Sequence, residues 1–223
     1  MIDQALRAQL APSLDRVAAK LAARDVPALA VTAAGLLAGL GACVAVAESA
    51  WAVALILWGL NRALDGLDGP IARRRGASEL GGLLDFVADF VVYSGFVLAV
   101  AISHPDARLA CVALLATYLV NNIALLSFSS VIERLGLALG DERSLRLTAG
   151  IAEGTETIVV YSLFCVAPGS STTIAWVFAG LVAVTAIQRV VQAARILHHS
   201  PRVVRRRRDA REAGSESYRG GVS

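Results

Sequence analysis

Charged side chains are scarce in this sequence. Asp, Glu, Lys and Arg make up 17% of its 223 residues, against about 25% in ordinary soluble domains. Apolar residues reach 56%, with a mean hydropathy of +0.62, and a membrane protein is the reading that fits. Cysteine is scarce too. Cys43, Cys111 and Cys165 fall in or beside apolar runs with no C-x-x-C spacing. That argues against a disulfide framework or a zinc site and leaves them as small hydrophobes. No G-K-S or G-K-T occurs, so a phosphate loop for ATP hydrolysis has no support. The opening MIDQALRAQLAPSLDRVAAK lacks the uninterrupted apolar core and cleavage-like end of a signal peptide.

What is present is a series of long apolar blocks. A helix needs roughly 20 predominantly apolar residues to cross the hydrocarbon. Six stretches have or approach that length, near 28–48, 50–66, 82–103, 107–132, 147–167 and 172–197. They predict an all-α membrane bundle of six transmembrane helices. The second stretch is the shortest, and its far end can continue as helix into the headgroup region. Basic residues alternate across these spans. Arg7, Arg16, Lys20 and Arg24 precede the first, Arg73 to Arg75 follow the second, and Arg134, Arg143 and Arg146 follow the fourth. Arg202 and Arg205 to Arg208 lie in the tail, whereas the opposite connections hold only Arg108. By the positive-inside rule both termini are cytoplasmic, as expected for a multi-pass protein of a bacterial inner membrane.

Residues 1–24 form the first of three regions. Ile2, Leu6, Leu10, Leu14, Val17 and Leu21 recur at three- and four-residue steps, the period of an amphipathic helix. Such a juxtamembrane helix either lies in the headgroup plane or packs on the cytoplasmic ends of the spans. Pro12 is expected to break it or to start its second half, because proline lacks the amide an interior position needs. Residues 25–198 hold the spans. Residues 199–223 are a basic tail whose polar composition predicts disorder. Directly after a span, its arginines suit anionic lipid rather than nucleic acid.

One segment breaks the apolar pattern. NRALDGLDGPIARRRGASELGGLLDFVADF, residues 61–90, carries Asp65, Asp68, Asp85 and Asp89 at the cytoplasmic ends of two consecutive spans. The first two are three residues apart and the last two are four apart, so on helices each pair shares a face. Converging carboxylates repel at low dielectric and call for a cation. Oxygen ligands without Cys or His suit Mg²⁺, Mn²⁺ or Ca²⁺, and two ions on one such site serve phosphoryl displacement. Acids at helix ends also cap amides or face solvent, and Arg73 to Arg75 offer them partners. Two pairs at facing span ends favour the functional reading, since ionisable groups at membrane spans are functional candidates. Gly66, Gly69, Gly76, Gly81 and Gly82 let the backbone approach a ligand, and Arg73 has a planar fork for phosphate oxygens.

The pattern Asp65-x-x-Asp68-Gly69-x-x-Ala72-Arg73, a short spacer, then Gly81-x-x-x-Asp85-x-x-x-Asp89 resembles the signature of the CDP-alcohol phosphotransferases at every fixed position. These membrane enzymes move a substituted phosphate from a CDP-linked donor to an alcohol and release CMP. The resemblance implies that Asp65, Asp68, Asp85 and Asp89 hold two Mg²⁺ or Mn²⁺ ions and that Asp89 is also the general base. It implies that Asp68, Gly69, Ala72, Arg73 and Gly81 bind the CMP and diphosphate. The expected partners are a CDP-linked lipid donor such as CDP-diacylglycerol, a hydroxyl acceptor, membrane lipids and a second copy in a homodimer. One departure is visible. The family often has Pro-Asn before the first span, followed by Thr and Gly, whereas here Pro27 is followed by Ala28, with Thr32 and Gly35 beyond.

A second polar island, GIAEGTETIVV at 150–160, places Glu153 and Glu156 three residues apart in the fifth span. They either line the acceptor site or pair structurally with a residue such as Arg62 or Arg146. Family members using inositol phosphate commonly have arginines interleaved with these acids. Here Gly154 and Thr157 stand there, which argues against a phosphorylated acceptor. The set NRxLDGLDGxxARRxG, GxxEGTET and Cys-x-x-Pro is similar to a bacterial subgroup of unassigned acceptor. DGLDGPIAR is also locally similar to phosphatidylcholine synthases. Two alternatives to the transferase remain: a CDP-alcohol hydrolase with water as acceptor, and a divalent-cation transporter. Acids at the mouth of the spans, rather than midway through them, weigh against transport.

Overall fold

A computed structural model describes residues 2–135 and 154–199. Every regular element among them is helical: α1 (Ile2–Ala23), α2 (Ala28–Ala47), α3 (Trp51–Arg75), α4 (Glu79–Ser103), α5 (Arg108–Leu135), α6 (Gly154–Val166) and α7 (Ser171–His199). Short 3₁₀ turns at Pro105–Ala107 and Pro168–Ser170 precede α5 and α7. Among the described residues, four segments are long and apolar enough to cross a membrane: Ala28–Ala47, Glu79–Ser103, Pro105–Glu133 and Pro168–Arg195. This is a multi-pass membrane architecture. The other two expected spans are helical as well, α3 with a polar second half and α6 with a described length of 13 residues.

The chain divides into two units. The first comprises residues 1–118 and 152–182, the second 119–151 and 183–223. In the second, α5 and α7 meet through Arg189, whose Nη1 donates to Asn121 Oδ1 at 2.9 Å.

The first unit holds the larger of two buried clusters. Ala42, Val46, Trp58, Val92, Phe96, Val100, Tyr161, Phe164 and Phe178 are buried together. The Trp58 ring centroid lies 5.6 Å from Phe96 and 5.1 Å from Tyr161, and Phe96 stacks on Tyr161 at 4.7 Å. Close helix approach depends on small residues in α2, as is common between membrane helices. A Cβ on Gly39 would stand 2.8 Å from Val92 Cγ1 and 3.0 Å from Asn61 Nδ2. Cys43, Cys111 and Cys165 are free and buried, as their apolar setting predicts.

One expectation is corrected here. Pro12 neither breaks nor restarts α1, which is continuous from Ile2 to Ala23. Pro12 is exposed, so the one intrahelical bond that its missing amide forfeits is lost on a face open to solvent. The glycine-rich segment is mostly helical. Gly66 and Gly69 lie within α3, Gly81 and Gly82 within α4, and only Gly76, Ala77 and Ser78 separate the two helices. α1 packs on α2 and α3. Ala18 is buried with Val31, Leu67 and Ile71, and Leu14 and Leu21 pack against them.

Candidate active site

The chain reverses sharply after α3, and this reversal builds the site. Gly76 closes the helix at φ 102°, a conformation that side chains rarely adopt. Ser78 then caps α4, its Oγ accepting from the Gly81 amide at 3.0 Å. α4 returns along α3, so that Asp85 and Asp89 come to face Asp65 and Asp68. Carboxylate oxygens of Asp65, Asp68 and Asp85 lie within 4.8 Å of one another.

Neighbours from three helices fix these acids. Thr32 of α2 donates its hydroxyl to Asp68 Oδ2 at 2.8 Å. Asn61 ties α3 to α2 by donating to the Gly35 carbonyl at 2.8 Å. Arg62 is almost fully buried, its side chain 8% exposed. Its Nη2 meets Asp89 Oδ1 at 2.8 Å and its Nη1 lies 3.5 Å from Asp65 Oδ2. The same guanidinium donates to the Tyr93 hydroxyl at 2.6 Å and to Asn61 Oδ1 at 2.8 Å. It sits over the Trp58 and Tyr93 rings, 4.8 and 5.0 Å from their centroids.

Two cavities adjoin the cluster. The larger, about 300 Å³, opens between the start of α2, the end of α3 and the start of α4. Thr32, Asp68, Gly69, Ala72, Arg73, Gly81 and Asp85 all line it. The smaller is a recess of about 10 Å³ among Thr32, Asn61, Asp65, Asp68, Asp85 and Asp89, close to the room one water-sized guest needs. An oxygen-only donor set around so small a space fits a hard divalent cation such as Mg²⁺ or Mn²⁺. Four carboxylates beside one buried guanidinium also leave an excess of negative charge if all are ionised, and burial makes that excess costly.

The profile of the CDP-alcohol phosphatidyltransferases matches residues 26–188. The chain belongs to this family. Inner membrane protein YnjF of Escherichia coli (strain K12) is 32% identical to it over 199 residues, 85% of this chain and 94% of that one. The fold resembles that of Mycobacterium tuberculosis phosphatidylinositol phosphate synthase (PgsA1), solved with CDP-DAG bound. The TM-score is 0.61 at 19% identity, over 81% of this chain and 92% of the other.

Within this member of the CDP-alcohol phosphatidyltransferases, the structure gathers the motif residues around one place. Asp65, Asp68 and Asp85 form the compact carboxylate group, while Asp89 borders the same recess and is gripped by Arg62. Gly69, Ala72, Arg73 and Gly81 share the larger cavity with Asp68. The three consecutive arginines do not pair with the four aspartates. Arg74 reaches Asp15 at 3.1 Å and Arg75 reaches Asp25 at 3.3 Å, whereas Arg73 lines the cavity. Glu156 lies in the first turn of α6 beside buried Thr155 and Thr157 and borders neither cavity. Glu153 and Arg146 lie outside the described residues. Thr32, Asn61 and Arg62 are the site residues that sequence reasoning did not assign. Arg62 and Asp65, three apart on one helix, gave the one local signal.

Proposed function

We propose that this chain transfers a substituted phosphate, most simply phosphatidyl, from a CDP-alcohol such as CDP-diacylglycerol to a hydroxyl acceptor, releasing CMP, in phospholipid synthesis. The observation that carries this reading is a single cavity shared by Asp68, Gly69, Ala72, Arg73, Gly81 and Asp85, directly beside the carboxylate recess. Asp65, Asp68 and Asp85 would hold divalent metal, with Asp89 completing a two-ion set. Metal bound there supplies positive charge to diphosphate oxygens during in-line displacement. Arg73 offers its planar donor fork to the same phosphates, and Gly69, beside the Arg73 guanidinium, leaves room for them. Asp89 takes the proton of the acceptor hydroxyl.

The protein would work in a bacterial inner membrane as six spans with both termini cytoplasmic, paired as a homodimer. Glu156, with Glu153, is the proposed contributor to the acceptor site. Its polar surroundings in an otherwise apolar helix support that reading.

The test is CMP release by purified protein given CDP-diacylglycerol and a panel of alcohols. Release that requires one alcohol supports the transferase, and release without any alcohol makes the protein a hydrolase. No release under any condition favours cation transport. EDTA should abolish release and Mg²⁺ or Mn²⁺ restore it; full activity in chelator would sink the metal assignment.

A further inference from the structure

We propose that the outer face of α1 docks anionic lipid headgroups at the membrane surface where α2 begins. Arg16, Lys20 and Arg24 form this surface. It is separate from the larger cavity, which none of the three lines.

α1 and the turn after it sort their charges by direction. Two acids turn toward α3, where Asp15 meets Arg74 at 3.1 Å and Asp25 meets Arg75 at 3.3 Å. The bases do not follow them. Arg16, Lys20 and Arg24 recur at four-residue steps, so they share one stripe, and all three are exposed. Arg16 bonds within α1 itself, donating to the Pro12 carbonyl at 3.1 Å and to Ser13 Oγ at 3.2 Å. None of the three meets a carboxylate among the described residues. Pairing with α3 therefore neutralises Asp15 and Asp25 and leaves the positive stripe open.

The place of the stripe identifies its occupant. Ala18 is buried against Val31 in the first turn of α2 and against Leu67 and Ile71 of α3. Only residues 24–27 separate α1 from α2, a helix long and apolar enough to cross a membrane. The headgroup layer adds roughly 5–7 Å to each side of the hydrocarbon, and long basic side chains reach it from a helix alongside. Val17, 45% exposed, stands three residues before Lys20 and seven before Arg24, on the same side of the helix. An apolar residue beside a basic stripe is the arrangement of a helix at the membrane interface, whereas a soluble polyanion would leave Val17 uncovered. Headgroups held there would press α1 onto Leu67, the neighbour of Asp68, and so steady the wall behind the acidic site.

The experiment puts one fluorophore at Ala23→Cys, an exposed position three residues from Lys20 on the same face. The natural cysteines are buried and stay unlabelled. The full chain is reconstituted in phosphatidylcholine vesicles containing a small fraction of nitroxide lipid, either phosphatidylglycerol or phosphatidylcholine, labelled near the top of the acyl chain. Each basic side chain near an anionic surface brings about a fivefold gain in affinity. At low salt the phosphatidylglycerol label should therefore quench at least about fivefold more effectively than the phosphatidylcholine label, and high salt should remove the preference. Arg16→Gln, Lys20→Gln and Arg24→Gln together should make the two lipids quench alike, while Arg16→Lys with Arg24→Lys should keep the preference. Glutamine is a good helix former; if the triple variant still fails to fold, Lys20→Gln alone should lose part of the preference. Equal quenching of the natural protein by both lipids would overturn the proposal, as would a preference that survives every glutamine variant that folds. Quenching by neither lipid would place α1 away from the membrane surface and overturn it too. CMP release is not measured, so the outcome is independent of the proposed transfer reaction.

Discussion

The two halves of α3 are made of different material. From Trp51 to Leu60 the helix is apolar, with Ala54 and Trp58 buried among Phe96, Tyr161 and Phe164. From Asn61 to Arg75 it carries Asn61, Arg62, Asp65, Asp68 and three terminal arginines. The first half is held by filled volume and has no group able to react. The second is held by hydrogen bonds and charge pairs and keeps more carboxylates than it has buried cations to match. Arg62 joins the halves, its charge among the acids and its planar face on the aromatic layer. Packing in one half therefore sets the direction of the reactive groups in the other.

The largest expected effect breaks the packed half. Trp58→Ala should lower stability by about 3–5 kcal/mol, the range for deleting a large buried aromatic, read as a fall in thermal midpoint in detergent. Because Trp58 also covers Arg62, activity should fall even where the variant remains folded. A well-folded, fully active Trp58→Ala protein would mean that the two halves are independent.

Asp89→Asn attacks the chemical half alone. Turnover should fall by at least about 10²-fold, the low end for a general base, with the donor KM little changed in a steady-state assay. A collapse in donor affinity would instead make Asp89 chiefly a ligand for metal.

The acidic site that the polar half of α3 builds with α4 was the more legible in sequence. Asp65, Asp68, Asp85 and Asp89 declare themselves because carboxylates beside apolar spans are rare and helical spacing gives each pair one face. Gly69, Ala72, Arg73 and Gly81 follow from the family signature. Thr32 and Asn61 were not legible as site residues, since their bonds to Asp68 and to Gly35 span 36 and 26 positions. Arg62 meets Asp89 across 27 positions, and the spacing of Arg62 and Asp65 alone could not announce that. The path through Pro12 was misread because proline removes only one intrahelical bond, lost here on an exposed face, and α1 runs through it. The family's Pro-Asn position also became interpretable only in three dimensions, where Ala28 and Thr32 both line the cavity.

Gly39→Ala tests how closely α2 must approach the junction of the two halves. The new methyl would press on Val92 and Asn61, so a loss of about 1–3 kcal/mol is expected, as for other overpacked sites. Thermal melting checks the size. The donor KM checks its reach, because displacing α2 moves Thr32 away from Asp68. A variant as stable as the natural protein would show that α2 can shift at no cost.

The smallest effect separates neighbouring arginines. Arg73, Arg74 and Arg75 are consecutive, yet only Arg73 lines the cavity. Arg74 clamps α1 through Asp15 at 3.1 Å, with side chains 37% and 52% exposed. Exposed pairs of this kind contribute only about 0.2–1 kcal/mol, and salt screens them further. Arg74→Ala should therefore lower the thermal midpoint slightly at low ionic strength, and the difference should shrink in high salt. Its turnover and donor KM should match the natural protein, since the apolar contacts of Leu14, Ala18 and Leu21 still hold α1 in place. Arg73→Lys should behave in the opposite way, keeping stability while raising the donor KM, because an ammonium lacks the planar fork. If Arg74→Ala raised the donor KM as much as Arg73→Lys, the arginine run would act on the donor as a diffuse positive field. The division of labour between one cavity residue and its clamping neighbours would then fail.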